Sequence, residues 1–238
     1  AYATNANGTA YGEQRTFKSQ QEQGSVFGSF TDSRDGNHYE TVTIGSQVWM
    51  AEKLAYLPSV VGPETGSEYD GYEAYPFYYV YGYDGTSVAT AKATANYTTY
   101  GVLYNWPAAI TACPEGWHLP SDAEWKQLEM YLGITSAQAD ATGWRGTAEG
   151  GKLKEEGTTH WDSPNTGATN SSGFTALPGG YRLSNGTFSR IGYLGYWWSS
   201  SQDGTNIAWS RSLFYNSYGV LRLSSDKDFG FSVRCLRD

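Results

Sequence analysis

At 238 residues the chain is long enough to bury a sizeable core. Its 16 basic against 24 acidic residues, a net charge of −8, exclude the basic footprint of a nucleic-acid or anionic-membrane binder, and no run approaches the roughly 18 apolar residues that cross a bilayer. Charged residues make up 17%, below the roughly 25% of an average soluble domain, while Tyr reaches 20 and Trp 9, a balance that suits a recognition surface as well as a core.

In chain order, AYATNANGTAYGEQRTF predicts two strands joined at Asn7-Gly8, a dipeptide that favours a type I′ hairpin turn. This opening resembles the last hairpin of the fibronectin-type-III-like (immunoglobulin-like) repeats of bacterial surface proteins, which implies that residues 1–17 are the tail of a preceding module. Residues 18–25, KSQQEQGS, are polar and aperiodic and read as a linker. No charged n-region followed by an apolar stretch opens the chain, so a trimmed chain or a removed export signal is expected. The main unit is expected to run from 26 to 238. In it Asp32, Asp35 and Asn37 could ligate a hard cation, but they lack the later bidentate Glu of an EF-hand loop, and DSRDGN reads first as a turn. Val42 and Ile44 alternate with Thr41 and Thr43, Gly45-Ser46 supplies a two-residue II′ turn, and Val48, Trp49 and Met50 return as a second strand.

Residues 57–99 show no usable period, so a long functional or mobile loop is expected there. Within it YPFYYVYGY, 75–83, is too aromatic on consecutive positions to be buried on one face only. GVLYNWPAAITAC then predicts a helix with Pro107 in its first turn. Cys113 and Cys235 lack the spacing of a zinc knuckle or a CxxC pair. Two buried thiols and one disulfide both fit; a bridge closing so long a loop contributes on the order of 4 to 5 kcal/mol in the chain-entropy model, and implies export. Ser121 and Glu124 form a capping box, Trp125, Leu128 and Leu132 share one helical face, and Gly133 ends the helix. The remote His38 and His160 leave His118 without a sequence-near ligand partner, so a packed, hydrogen-bonded histidine is expected. Further on, strands are expected at 207–215, 220–224 and 230–236, with 216–219 as a turn. Ile207, Trp209, Arg211, Leu213 and Tyr215 would line one face and Ala208, Ser210, Ser212 and Phe214 the other, with one face open to solvent.

GSQVWMAEKLAY (45–56), YGVLYNWPAA (100–109), CPEGWHLPSDAEWKQLE (113–129), GFTALPGGYR (173–182), GYWWSSS (195–201) and DFGFSVRCLRD (228–238) together resemble the Fibrobacter succinogenes major paralogous domain of bacterial surface proteins. The resemblance spreads in order over roughly 27–238. It implies an α+β, C-type-lectin-like fold: two helices packed on twisted antiparallel sheets of short strands, with long loops and termini close together. It also implies a Cys113–Cys235 disulfide. In that fold the C-terminal sheet and its loops carry the ligand, which implies Trp198, Ser199, Ser200, Ser201, Asp203, Asn206, Trp209, Arg211, Tyr215, Asn216, Tyr218 and Arg222 as the binding residues. Aromatic planes stack on sugar rings or anchor protein hot spots, and Asn, Asp and Arg hydrogen-bond around them.

Two departures narrow this. The EPN or QPD and WND triplets of calcium-dependent lectins are missing, so no metal or cofactor is expected. HLPSDAEW also resembles a segment of formylglycine-generating enzymes, but those work through reactive cysteines and a scaffold bridge would leave no spare thiol. No GxSxG, HExxH or P-loop motif occurs, and nothing nominates a carboxylate pair for glycoside hydrolysis. The expectation is therefore a non-enzymatic, extracellular or cell-surface adhesion module, part of a longer surface protein, that binds a glycan or surface protein. Two other readings stand beside it. SSSQDGTN and FYNSYG have the character of the variable region of a retroelement-diversified binding protein, and the unit could instead be a structural cap of a repeat stalk that binds nothing.

Overall fold

The computed structural model describes residues 2–5, 8–11, 26–65 and 75–238. Its elements in chain order are β1 (Tyr2–Asn5), β2 (Gly8–Tyr11), β3 (Val26–Thr31), β4 (His38–Ile44), β5 (Gln47–Met50), β6 (Tyr78–Tyr79), α1 (Val88–Lys92), α2 (Ala95–Tyr100), β7 (Leu103–Tyr104) and α3 (Trp106–Ala112). There follow β8 (Trp117–His118), α4 (Asp122–Leu132), α5 (Ser136–Asp140), β9 (Gly143–Arg145), α6 (Glu149–Leu153), β10 (Gly179–Arg182), β11 (Phe188–Ile191), β12 (Leu194–Gln202), β13 (Ile207–Phe214), β14 (Val220–Asp226) and β15 (Leu236–Arg237). The class is α+β. A six-stranded sheet runs β11-β10-β12-β13-β14-β9 and a five-stranded one β3-β4-β5-β15-β8.

Local chemistry starts the helices. Ser87, Thr94, Asn105, Ser121 and Thr135 each accept a backbone N–H from the first turn of α1 to α5 in order. At α4 the capping box is complete and Gly133 (φ 126) ends the helix, with Trp125, Leu128 and Leu132 buried. At α3 Pro107 sits in the first turn as expected, but the helix begins at Trp106, because Leu103 and Tyr104 pair with Tyr79 and Tyr78 as strands. The β4–β5 hairpin has the expected two-residue connection at Gly45-Ser46, Ile44 pairing with Gln47.

Cys113 and Cys235 form a disulfide that ties the end of α3 to the last strand. Two buried clusters lie on either side of the six-stranded sheet. One gathers Tyr39, Met50, Leu54, Tyr104, Trp198 and Phe231 around that bridge; the other gathers Val42, Trp49, Trp125, Leu128, Phe174, Trp197 and Leu213 around α4. Trp197 and Trp198 are neighbours in sequence and enter opposite clusters, as the two-residue period of a strand requires.

Three expectations need correction. Among the described residues six helices replace the expected two, because α1 and most of α2 fall in the aperiodic 57–99 stretch, and α5 and α6 are one-turn elements. In that stretch Tyr78 and Tyr79 are both buried, on opposite sides of β6, against Tyr104 and under the Arg182 guanidinium. Residues 230–236 are not a third ladder strand. Gly230, Phe231 and Ser232 make single bridges to Arg182, Tyr104 and Trp197 before Leu236 joins the other sheet between β5 and β8; every residue from 230 to 236 is buried, so the segment crosses the interior between the sheets. In the first hairpin Asn5 pairs with Gly8, which makes Gly8 the start of β2 rather than part of the turn; Asn7 and the linker 18–25 lie outside the described residues.

Candidate functional site

DSRDGN is a turn: Arg34 holds the Asp32 carboxylate in an ion pair at 2.7 Å, Asn37 donates its backbone N–H and its amide to Asp35, and Gly36 takes φ 76. His118 is hydrogen-bonded on both ring nitrogens, to Asp238 at 2.6 Å and Glu124 at 3.0 Å. Burial disfavours its charge, but the two carboxylates prevail and raise its pKa.

The twelve candidate residues fall into three groups. Trp198, Ser199, Arg211 and Arg222 are buried and face inward. Trp198 donates its indole N–H to Tyr104 O (2.8 Å) and packs on Phe231, and the Ser199 carbonyl accepts from Trp106. Arg211 and Arg222 belong to an ion-pair layer joining sheet to helix. Asp122 accepts from Arg222 at 2.8 and 2.9 Å and pairs with Arg211 at 2.9 Å; Glu129, fully buried, takes Arg145 through both oxygens at 2.8 Å and Arg211 as well. Against the cost of burial, these cations hold the Asp122 carboxyl well below the usual carboxylate range. The expected solvent face of β13 is thus covered by α4 on the side of Arg211 and Leu213, and Trp209 lies half-buried beneath Arg222, 3.5 Å from its guanidinium. These burials remove Trp198, Ser199, Arg211 and Arg222 from a contact surface.

The other eight separate to the two ends of β13. Ser200, Ser201, Asp203 and Asn206, with Trp209, sit at its start; Tyr215, Asn216 and Tyr218 sit at its end. A strand of 8 residues spans about 26 Å at the usual rise, so the two groups do not form one patch. At the start, Ser200 N donates to Pro120 O and Ser201 Oγ accepts from Asp122 N, which binds that segment to the start of α4.

The far end presents a contiguous aromatic ridge. Tyr193 and Tyr215 meet edge-on at 5.2 Å, Tyr215 meets Phe214 at 5.0 Å, and Phe214 lies 6.2 Å from Trp144. Trp144 is 49% exposed, Tyr193 39% and, beyond them, Tyr218 54%. Trp144 arrives from β9, whose pairing with Leu221 of β14 sets it on the same face as Phe214. Tyr218 lies over Gly167 (φ 70), where a Cβ would collide with the ring. Beneath the ridge Lys154, fully buried, donates to the carbonyls of Thr166, Phe214 and Ser217 at 2.9 to 3.1 Å; burial pushes its pKa down to about 8. The Tyr193 hydroxyl is hydrogen-bonded to Asp162, and Asn216 is exposed beside Tyr215. Such a ridge offers stacking area with hydrogen-bonding groups at its edges. Trp144, Tyr193 and Lys154 were missed from sequence; the one signal was an aromatic between glycine-rich turns in ATGWRG.

A family model, that of the Fibrobacter succinogenes major domain, matches residues 42–237, most of the chain, and the chain belongs to that family. No curated protein and no solved structure matches it.

Proposed function

We propose that the chain, as a member of the Fibrobacter succinogenes major domain family, is a C-type-lectin-like recognition module of an exported surface protein. Its ligand is a glycan or a surface protein, taken on the ridge of Trp144, Phe214, Tyr193, Tyr215 and Tyr218. The observation that carries this is the run of ring contacts from Trp144 through Phe214 and Tyr215 to Tyr193, with Tyr218 exposed on the turn that Lys154 holds from below. A preformed aromatic surface loses little entropy on binding, and aromatic anchors supply most of the energy of such contacts. A disulfide supports an oxidising compartment, and it consumes both cysteines of the sequence, so formylglycine-type thiol chemistry has no nucleophile. The C-type-lectin-like assignment is supported by the five-stranded sheet, in which β3 and β15, from the two ends of the 26–238 unit, share one ladder system. The terminal hairpin then belongs to a preceding repeat of the same surface protein.

The test is a glycan array and a surface-protein array probed with the native chain and with Trp144→Ala and Tyr215→Ala. A binder lost at least tenfold in both variants is the expected result. Binding that survives both changes rejects the ridge, and no binder on either array rejects recognition in favour of a stalk cap.

A further inference from the structure

A cavity of about 290 Å³ opens between the start of β4, the stretch after β5, α2 and the 174–177 segment, and shares no residue with the ridge. It is at the small end of ligand cavities, which start near 300 Å³, and has room for one sugar-sized ring. Lys53 lines it together with Glu52 and Glu155, and the Lys53 ammonium, 5.9 Å above the Tyr100 ring, is in no ion pair with a carboxylate of the described residues, Glu52 and Glu155 acting on it only at a distance. Burial, and after it the charge of Arg234, pushes Lys53 down to about 8. Its aliphatic stem runs against Gly101 (φ 67), where a Cβ would stand 3.0 Å from Lys53 Cγ, so the backbone of that turn places the side chain.

The walls are fixed before any ligand arrives. Tyr97 donates its hydroxyl to Ala55 O at 2.8 Å and Ala55 N donates to Tyr39 Oη at 3.0 Å. Thr175, a β-branched residue at φ 52, is held there by Asn170, which accepts from its amide at 2.8 Å and donates to its hydroxyl at 2.9 Å. The fully buried Arg234 grips the carbonyls of Phe174 and Thr175 from behind. Left-handed backbone at such a residue costs energy and persists only where the surroundings impose it, commonly at a ligand clamp. Glu155 is oriented by His160 at 2.9 Å and Glu52 accepts from Glu40 N at 3.2 Å, each keeping acceptor capacity for hydroxyl groups.

We propose that this cavity binds a hydroxyl-rich carboxylate, a hexuronic acid residue, with its carboxylate on Lys53 and its ring hydroxyls donating to Glu52 and Glu155. Sulfate or chloride has no donors for the two rim carboxylates, so nothing offsets their repulsion. A neutral sugar leaves Lys53 without a counter-ion.

The test titrates the native chain, by calorimetry, with D-galacturonate, its methyl ester, D-galactose and trigalacturonate, and repeats it with Lys53→Met and Trp144→Ala. The expected result is binding of the acid, at least tenfold weaker binding of ester and galactose, and at least tenfold loss in a Lys53→Met variant that keeps the native urea midpoint. Trp144→Ala binds as the native chain does, whatever becomes of the ridge. A trimer tighter than the monomer assigns the site to a polysaccharide, and equal affinities assign it to the free sugar acid. No binding of either acid, equal affinity for acid and ester, or undiminished binding by a folded Lys53→Met variant overturns the proposal; if that variant does not fold, the acid-to-ester ratio decides.

Discussion

At one end of β13 the chain turns through residues 203–206 with Asp203 and Asn206 exposed; at the other it turns through 215–219 beneath Tyr215 and Tyr218. Both turns rest on a buried lysine. Lys227 donates to Gln202 Oε1 at 2.6 Å and to the carbonyls of Gly204 and Thr205, with the Trp106 ring 4.5 Å away. Lys154 donates to Thr166, Phe214 and Ser217, with the Trp161 ring at 5.5 Å. One device thus fixes both loops, since an ammonium has three donors and a carbonyl buried without a partner is costly. What differs is the cargo: short polar side chains and one ring, Trp209, half-buried under Arg222, at the first end, five large rings at the second. Rigidity alone does not make a binding surface, and the strongly exposed rings sit at one end.

The sharpest way to break this comparison is to remove what both ends share. Glu129→Ala leaves Arg145 buried without a carboxylate and Arg211 with Asp122 alone, and about 3 to 5 kcal/mol of stability is expected to go, read by urea unfolding. Acid attacks the same layer through Asp122. Its pKa is depressed in the folded state, so its contribution is present above the unfolded carboxylate value and is lost as pH falls through the folded one. The stability gap between the native chain and Asp122→Asn, measured by urea midpoints, should therefore be wide at pH 6 and narrow steadily as pH falls below about 4. Lys154→Met separates the two ends. It is expected to cost about 1 to 3 kcal/mol and to speed amide exchange at 215–219 while that at 203–206 stays unchanged; Lys227→Met should do the converse at smaller cost, because its loop faces water. Smallest of all, Asp203→Ala with Asn206→Ala should leave both the urea midpoint and any ligand affinity of the ridge unaltered within about 0.5 kcal/mol, and a tenfold loss of affinity would move the site to that end.

What the sequence disclosed follows the range of the interactions involved. The capping box at Ser121 and Glu124, the apolar stripe of α4 and the β4–β5 hairpin are set by residues a few positions apart, and they formed where the pattern put them. The outward face of β13 did not. Alternation separates two faces but cannot say that both will be covered, and Arg211 looked like a surface charge because its partners, Asp122 and Glu129, lie on a helix far upstream. The ridge was half legible for the same reason. Tyr215 and Tyr218 stand in the stretch that drew attention, whereas Trp144 and Tyr193 join it only through the pairing of β9 with β14 and β12 with β13. A cluster of arginines in otherwise apolar strands, at 145, 211 and 222, was the available hint that acids on α4 had to turn inward.

The placement of β15 has a consequence for how the molecule is made. Leu236 hydrogen-bonds in register with Trp49 on one side and His118 on the other, and Cys235 beside it closes the bridge to α3. β5 has β4 on one edge but nothing on the other, and β8 has no partner in that sheet, until the final strand lies between them. Until residues 235–237 are in place, the Trp49 edge and the Cys113 thiol therefore stay open. Synthesis can run ahead of assembly, and the closing step waits for the segment that carries Cys235 and Leu236.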